Sequence, residues 1–258
     1  MQLETAMFPR LSVVDPARRL AVIAPCVALS QDYLMANAIF GFEQDDPRAQ
    51  PFIRMRSSIM TLAKETGQRI FAITSVEPGV GKTHVAVNLA AALSRITATT
   101  LVELDLRRPS IGARLGLAPP KRGVDDFLDG KAFRSELTVR AEGFALELHC
   151  VRTPRANAEQ LLTSGRLPGL FEMLRAKDEA PICIIDCSPI TVEDDFMLIA
   201  PALDGVMMVV EEGRTPRRAL LDAVASLKGT PVVGSILNKS MWSAKVKDYY
   251  GYRSAARP

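Results

Sequence analysis

Apolar residues fall in short unbroken runs along the middle of this chain, separated by stretches in which they recur every three or four positions. Ile70, Phe71, Ala72, Ile73 and Thr74 form one such run, and after a glycine-containing turn Val85, Leu89, Ala92, Leu93 and Ile96 follow at helical spacing. The order predicted is strand, loop, helix. A second run at 100–104 lies at the distance of a crossover unit, and residues 146–151, 182–185, 206–210 and 232–237 supply four more. Strands that are apolar without alternation are buried on both faces. Six of them alternating with helices therefore predict an α/β protein with a mainly parallel sheet and helices on both faces. In such a sheet the ligand crevice lies outside the carboxyl ends of the strands.

Helix starts are marked by side chains able to take up free backbone N–H groups. Asn157 with Gln160 three positions later has the form of a capping box, and Thr215-Pro216 places a cap ahead of a proline. Residues 1–48 hold no period for long and are broken by Pro9, Pro16, Pro25 and Pro47, which predicts an extension with little core of its own. Residues 49–240 carry the alternating pattern. Residues 241–258 form a basic tail containing Tyr249, Tyr250 and Tyr252, three of the chain's four tyrosines.

Composition narrows the partners. The 258 residues suit one substantial core. Thirty-two basic against 29 acidic residues give a net charge of +3, no footprint for nucleic acid, so no nucleic-acid partner is expected. The longest apolar stretch near the start, residues 20–29, is interrupted by Pro25 and falls short of a membrane span, so the chain is expected to have none. Cys26, Cys150, Cys183 and Cys187 make no CxxC pair and no metal-ligand spacing with the two histidines. Cys183 and Cys187 read as small buried residues in or beside a strand, in a reduced, cytoplasmic protein.

The chemistry is concentrated in three segments. Gly79-Val80-Gly81-Lys82-Thr83 sits between the first strand and its helix. Glycines let backbone N–H groups close around phosphate oxygens, a lysine meets their charge, and a hydroxyl can ligate Mg²⁺. Val76 stands where the usual first glycine of such a loop is found. Ile184-Ile185-Asp186 places a carboxylate at the end of an apolar strand, the Walker B form. In Leu101-Val102-Glu103-Leu104-Asp105-Leu106-Arg107-Arg108-Pro109, two acids two residues apart point the same way, so both are expected to face the crevice. His84 and His149 read as a helix-surface and an interior position, since phosphoryl transfer needs neither.

With these segments in place the sequence resembles the bacterial tyrosine kinases of capsule and exopolysaccharide co-polymerase systems, P-loop relatives of the MinD/ParA ATPases. The likeness continues through residues 157–162, Asp186-Cys187-Ser188-Pro189, residues 205–215 and Leu237-Asn238 to the tyrosine cluster. Glu77-Pro78 replaces the signature lysine and glycine of the partition and septum-site ATPases, which favours the kinase branch. The resemblance implies an ATP- and Mg²⁺-dependent tyrosine autokinase. Its nucleotide segment would be Pro78, Gly79, Val80, Gly81, Lys82, Thr83 and His84, with Asn238 at the adenine. Thr83 and Asp186 would hold the metal, and Lys82, Glu103, Asp105 and Asp186 would carry catalysis. Glu103 stands where the family has an aspartate. Tyr249, Tyr250 and Tyr252 would be phosphoacceptors, and the partner a membrane polysaccharide co-polymerase or activator protein that recruits the chain to the inner face of the plasma membrane. The family's ring-forming Glu-x-x-Arg-x-x-Arg appears here as Gln50, Ile53 and Arg56, which implies a weak homo-oligomer. An alternative implied by the same substitutions is a weakly active ATP-binding regulator.

Overall fold

The computed structural model describes residues 24–176 and 181–240. Tyr249, Tyr250 and Tyr252 lie outside the described residues. The strands are β1 (Cys26–Val27), β2 (Ile70–Ser75), β3 (Thr99–Glu103), β4 (Val139–Ala141), β5 (Leu146–His149), β6 (Ile182–Asp186), β7 (Gly205–Glu211) and β8 (Val232–Asn238). They form a single sheet in the order β1-β4-β5-β3-β6-β2-β7-β8. All neighbours pair in parallel except β4 and β5, so β1 and β4 run against the other six. The six apolar runs of the sequence are these six parallel strands. The short β1 and β4 lack a readable pattern because they lie at one end of the sheet and carry two and three residues.

Alternate residues of each central strand enter two separate cores, which is why the runs are apolar throughout. Ile70, Ala72, Val102, Cys183, Ile185, Val206 and Met208 face one core. That core is closed by α5 (Val124–Leu128), α6 (Ala158–Leu162), α7 (Leu167–Arg175), α8 (Asp195–Ile199) and α9 (Arg217–Ser226). Phe71, Ile73, Leu101, Ile184, Met207 and Val209 face the other, closed by α1 (Gln31–Ala36), α2 (Gln50–Thr66), α3 (Lys82–Ser94) and α4 (Ile111–Arg114). Cys183 and Cys187 are fully buried.

The part of the N-terminal stretch that is described is not peripheral. Leu34, Ile39 and Phe42 are buried in the second core, and β1 extends the sheet. Asn88 of α3 ties this strap down: its side-chain oxygen accepts the N–H groups of Phe40 and Gly41 at 2.7 and 2.9 Å, and its amide donates to the Ala38 carbonyl at 3.1 Å. Prolines hid this attachment, because the strap is held by side-chain hydrogen bonds and single apolar anchors rather than by a period. Both predicted caps also differ. The Asn157 side chain makes no bond to the α6 backbone and instead meets Gln160 at 3.5 Å, while Thr215 accepts from the Glu211 N–H at 3.1 Å and leaves the start of α9 to Pro216.

Gly41 approaches α3 so closely that an added Cβ would collide with the Asn88 carbonyl. Gly41→Ala is expected to lower stability by about 1–3 kcal/mol, the range for overpacking a well-filled interior. Denaturant unfolding followed by circular dichroism measures it.

Candidate functional site

The site begins where β2 ends. The chain turns through residues 76–81, with Gly79 and Gly81 at φ of 80° and 97°, and α3 starts at Lys82. These are left-handed conformations that glycine adopts without strain. At Gly81 there is a second reason, since a Cβ would strike the Asn238 amide. Val76 needs no such freedom: its side chain is buried in the first core and its carbonyl accepts the Thr191 hydroxyl. No side chain caps α3. Its first N–H groups and the positive end of its dipole are therefore available to an anion. Lys82 is buried at that end, its charge acting on Asp105 and Asp186 without a direct ion pair.

Parallel pairing sets Glu103 and Asp186 directly opposite one another at the ends of β3 and β6. The Leu104 and Asp105 N–H groups both donate to the Asp186 carbonyl, at 2.8 and 3.1 Å, which fixes Asp105 beside the same crevice. Asp186 is buried. One carboxylate oxygen accepts the Thr83 hydroxyl at 2.6 Å and the other has no partner. Burial pushes its pKa up to about 7, an effect opposed by Thr83 and Lys82 and reinforced by the Glu103 and Asp105 charges. The Ser110 hydroxyl donates to Thr83 Oγ1 at 3.0 Å, extending the chain of hydroxyls one step further.

Among the described residues no three His, Cys, Asp or Glu gather into a metal cluster. The arrangement instead suits a hard cation such as Mg²⁺, which takes one or two protein oxygens and completes its shell with phosphates and water. An unpaired buried carboxylate oxygen beside a threonine hydroxyl fits that ion, because a cation would supply the charge that Asp186 lacks.

The two acids of the β3 segment part company. Asp105 is buried near Lys82, with Oδ1 accepting the Arg108 N–H at 3.1 Å; burial raises its pKa and the Lys82 charge lowers it. Glu103 departs from the expected crevice-facing role. Its Oε1 accepts the N–H groups of Ser110 and Ile111, the latter at 2.7 Å, and its Oε2 accepts the Val151 N–H at 2.9 Å. The extra methylene carries the carboxylate past the strand end to the first turn of α4, where backbone donors hold it. Its pKa is raised by burial, against the pull of those three donors.

On the outer side the loop is held from β7 and β8. Asn238 donates to the Val80 carbonyl at 2.8 Å, Lys239 to the Gly79 carbonyl at 2.9 Å, and Arg214 to the Pro78 carbonyl at 3.2 Å. Asn238 thus reaches the phosphate loop itself, not only the flank expected for a base. His84 lies edge-on to Phe52 of α2 at 5.7 Å, with burial lowering its pKa. His149 is interior, against the Thr138 hydroxyl at 3.1 Å. Ser110, Arg214 and Lys239 escaped the sequence reading. Ser110 directly follows the quoted acidic segment, and the other two carry no motif.

Comparison with known proteins places this geometry. No family model matches the chain. The succinoglycan biosynthesis transport protein ExoP of Rhizobium meliloti is 29% identical over 211 residues, which cover 76% of this chain but 26% of ExoP. The chain therefore spans about a quarter of that relative's length. The tyrosine-protein kinase CpsD of Streptococcus agalactiae is 29% identical over 212 residues, covering 80% of this chain and 91% of CpsD. Among solved structures, the VpsO kinase domain superposes with a TM-score of 0.67 at 26% identity, over 75% of this chain and 96% of that domain. The septum-site protein MinD of Pyrococcus horikoshii, solved with Mg-ADP, shares the fold with a TM-score of 0.56 at 20% identity, over 66% of this chain and 69% of MinD. The chain is thus a homologue of bacterial tyrosine-protein kinases, built on the P-loop ATPase fold of their kinase domains.

Proposed function

We propose that this chain binds Mg-ATP and transfers the γ-phosphoryl group to tyrosines of its own kind, regulating exopolysaccharide or capsule synthesis and export. The observation that carries the reading is the Asp186 carboxylate: one of its buried oxygens has no hydrogen-bond partner among the described residues, beside Thr83 and an uncapped helix start that carries Lys82. The tyrosine-kinase relatives and the clustered phenols of the tail support the acceptor assignment.

In this reading the backbone N–H groups at 79–83 and Lys82 bind the phosphates, and Thr83 and Asp186 hold Mg²⁺. The metal would neutralise charge developing on the phosphates during transfer. Lys82 adds a fixed positive charge in a site from which water is largely excluded, where it acts strongly. Asp105, whose Oδ2 accepts no hydrogen bond among the described residues, takes the proton of the attacking phenol. Glu103 positions the start of α4, and through Ser110 the Thr83 hydroxyl.

Glu103 also favours a second reading, an ATP-binding regulator with little transfer activity. Both its oxygens are committed to backbone donors, so one carboxylate fewer is open at the centre. In either case the partner is a membrane polysaccharide co-polymerase or an activator, with the chain in the cytoplasm at the inner face of the membrane. No helix among the described residues is long and apolar enough to cross a membrane.

Lys82→Met should weaken Mg-ATP binding at least about tenfold with the fold intact, since the side chain supplies charge rather than packing. Calorimetric titration decides it, and unchanged affinity in a folded variant removes the phosphate-loop assignment. Replacing Tyr249, Tyr250 and Tyr252 with Phe should abolish phosphotyrosine on intact-mass analysis after incubation with Mg-ATP. Phosphotyrosine persisting at the wild-type level locates the acceptors elsewhere.

The raised pKa of Asp186 gives a pH dependence. Mg²⁺ needs the ionised carboxylate, so its affinity should rise with pH and level off above about 7. The folded chain retains this proton at pH values where the unfolded chain has lost it. Without metal, the Asp186 contribution therefore lowers stability as pH rises from about 4 towards 7, and levels off above. Asp186→Asn should remove both effects, measured by Mg²⁺ titration and by thermal unfolding at several pH values.

Assembly should be weak. Arg56, the one remaining charge of the ring-forming pattern, donates to the Ala92 carbonyl of its own chain at 3.2 Å. Light scattering of the purified chain at micromolar concentration is expected to show monomers, and a stable ring would require other contacts.

A further inference from the structure

A cavity of about 770 Å³ opens beside the site, on the side of β3 away from the phosphate loop. This is within the range that accepts small ligands. Val27, Leu117, Pro109, Val139, Val151 and Pro154 give it apolar walls. Glu103 and Ser110 also line it. Ser110 is one hydrogen bond from Thr83, so part of the cavity wall reaches the proposed metal site.

The charges around the cavity are not balanced. Glu103 is held by three backbone donors, and Glu136 accepts the Phe133 N–H at 2.8 Å. Arg152 is paired with Asp126 at 2.6 Å, and burial keeps the Cys150 thiol protonated. Lys121 and Arg122 line the cavity from an exposed loop and, among the described residues, make no hydrogen bond or ion pair. Two adjacent cations without partners at the rim of an apolar cavity match a ligand with an aromatic body and a nearby dianion.

Resting on the autokinase reading, we propose that this cavity is the acceptor subsite, that it takes a tyrosine side chain, and that Lys121 and Arg122 bind a phosphotyrosine already present on the same segment. The tail carries Tyr249, Tyr250 and Tyr252 within four residues. An extended chain rises about 3.3 Å per residue, so a neighbouring phosphate lies within roughly 10 Å of the acceptor. The unmodified tail, residues 245–258, has Lys245, Lys247, Arg253 and Arg257 against Asp248, and the rim cations repel it. Each phosphotyrosine adds about −1.5 to −2, leaving a singly modified segment less positive and giving the rim cations a local dianion that the unmodified tail does not offer. The first transfer is therefore slow and later ones faster. In each, the phenol reaches past Ser110 from the cavity to the crevice, its oxygen bonds to the γ-phosphorus as the bond to the ADP oxygen breaks, and its proton passes to Asp105, which stands at the crevice and not in the cavity wall.

The test uses two synthetic peptides of residues 245–258, one unmodified and one with phosphotyrosine at 252, against the full chain. The phosphopeptide should bind the nucleotide-free chain about tenfold more tightly by fluorescence anisotropy. With Mg-ATP it should show a correspondingly lower KM, and Lys121→Ala with Arg122→Ala should erase both differences. Ala113→Phe, at an exposed position lining the cavity, should stop transfer to either peptide while Mg-ADP affinity is retained. Val139→Trp is the second blocking variant, each checked for folding by circular dichroism. Equal affinity and equal KM for the two peptides overturn the phosphotyrosine contact, and transfer surviving in both folded blocking variants overturns the acceptor cavity. A wild-type chain that binds Mg-ATP yet phosphorylates neither peptide overturns the autokinase reading and the acceptor role with it. Transfer to both peptides with equal KM leaves that reading standing and removes the rim contact alone.

Discussion

The in-register pairing of β3 with β6 forces carboxylates into one dry place, and the surrounding structure is arranged around their charge. Glu103 lies directly opposite Asp186, and Asp105 follows two residues on. Water is not available to screen them, so each needs its own compensation. Glu103 receives three backbone N–H groups, and Asp105 has the Arg108 N–H and the Lys82 charge. Asp186 has one hydroxyl and one unpaired oxygen. The compensation is least complete at the position where a phosphate-bound cation would supply it. The cost of burying that carboxylate becomes selectivity for the metal.

A second consequence runs through the strap at 38–42. Asn88 holds it against α3, the helix that starts at the phosphate loop. Tyr33 of α1 donates to the Ala113 carbonyl at 2.8 Å, in the short helix whose first turn is held by Glu103. The N-terminal segment therefore braces both elements that meet at Thr83 and Ser110. A change at the sheet edge has a continuous path of packed and hydrogen-bonded groups to the site.

The six parallel strands and the phosphate loop were legible because their signals are local. A strand buried on both faces has no polar position to hide it, and glycines at 79 and 81 serve backbone conformations that other residues adopt only with strain. The role of Val76 was not legible: a missing glycine reads as a weakened motif until the side chain is seen in the core. The strap, β1 and β4 were missed for a related reason. Their positions depend on single anchors and on partners distant in sequence, such as Phe40 with Asn88, and no periodicity records such contacts. The expected Asn157 cap failed because its side chain met that of Gln160 instead of the backbone, a choice between two nearby polar groups that sequence does not decide.

Glu103 shows how a near-conservative difference redirects a residue. Two acids at alternate positions of a strand point to the same side, and that rule placed both in the crevice. It describes the Cβ direction and not the reach of the side chain. With one more methylene than an aspartate, the carboxylate travels beyond the strand end and meets the N–H groups of Ser110, Ile111 and Val151. A buried acceptor with three donors is not free to ligate a metal without leaving those donors unsatisfied, at roughly 1–3 kcal/mol each. The stable arrangement therefore keeps Glu103 as a brace and leaves Asp105 as the open carboxylate beside Lys82. One carboxylate fewer is open at the centre than in a site where both acids face the crevice, so general-base work falls to a single residue.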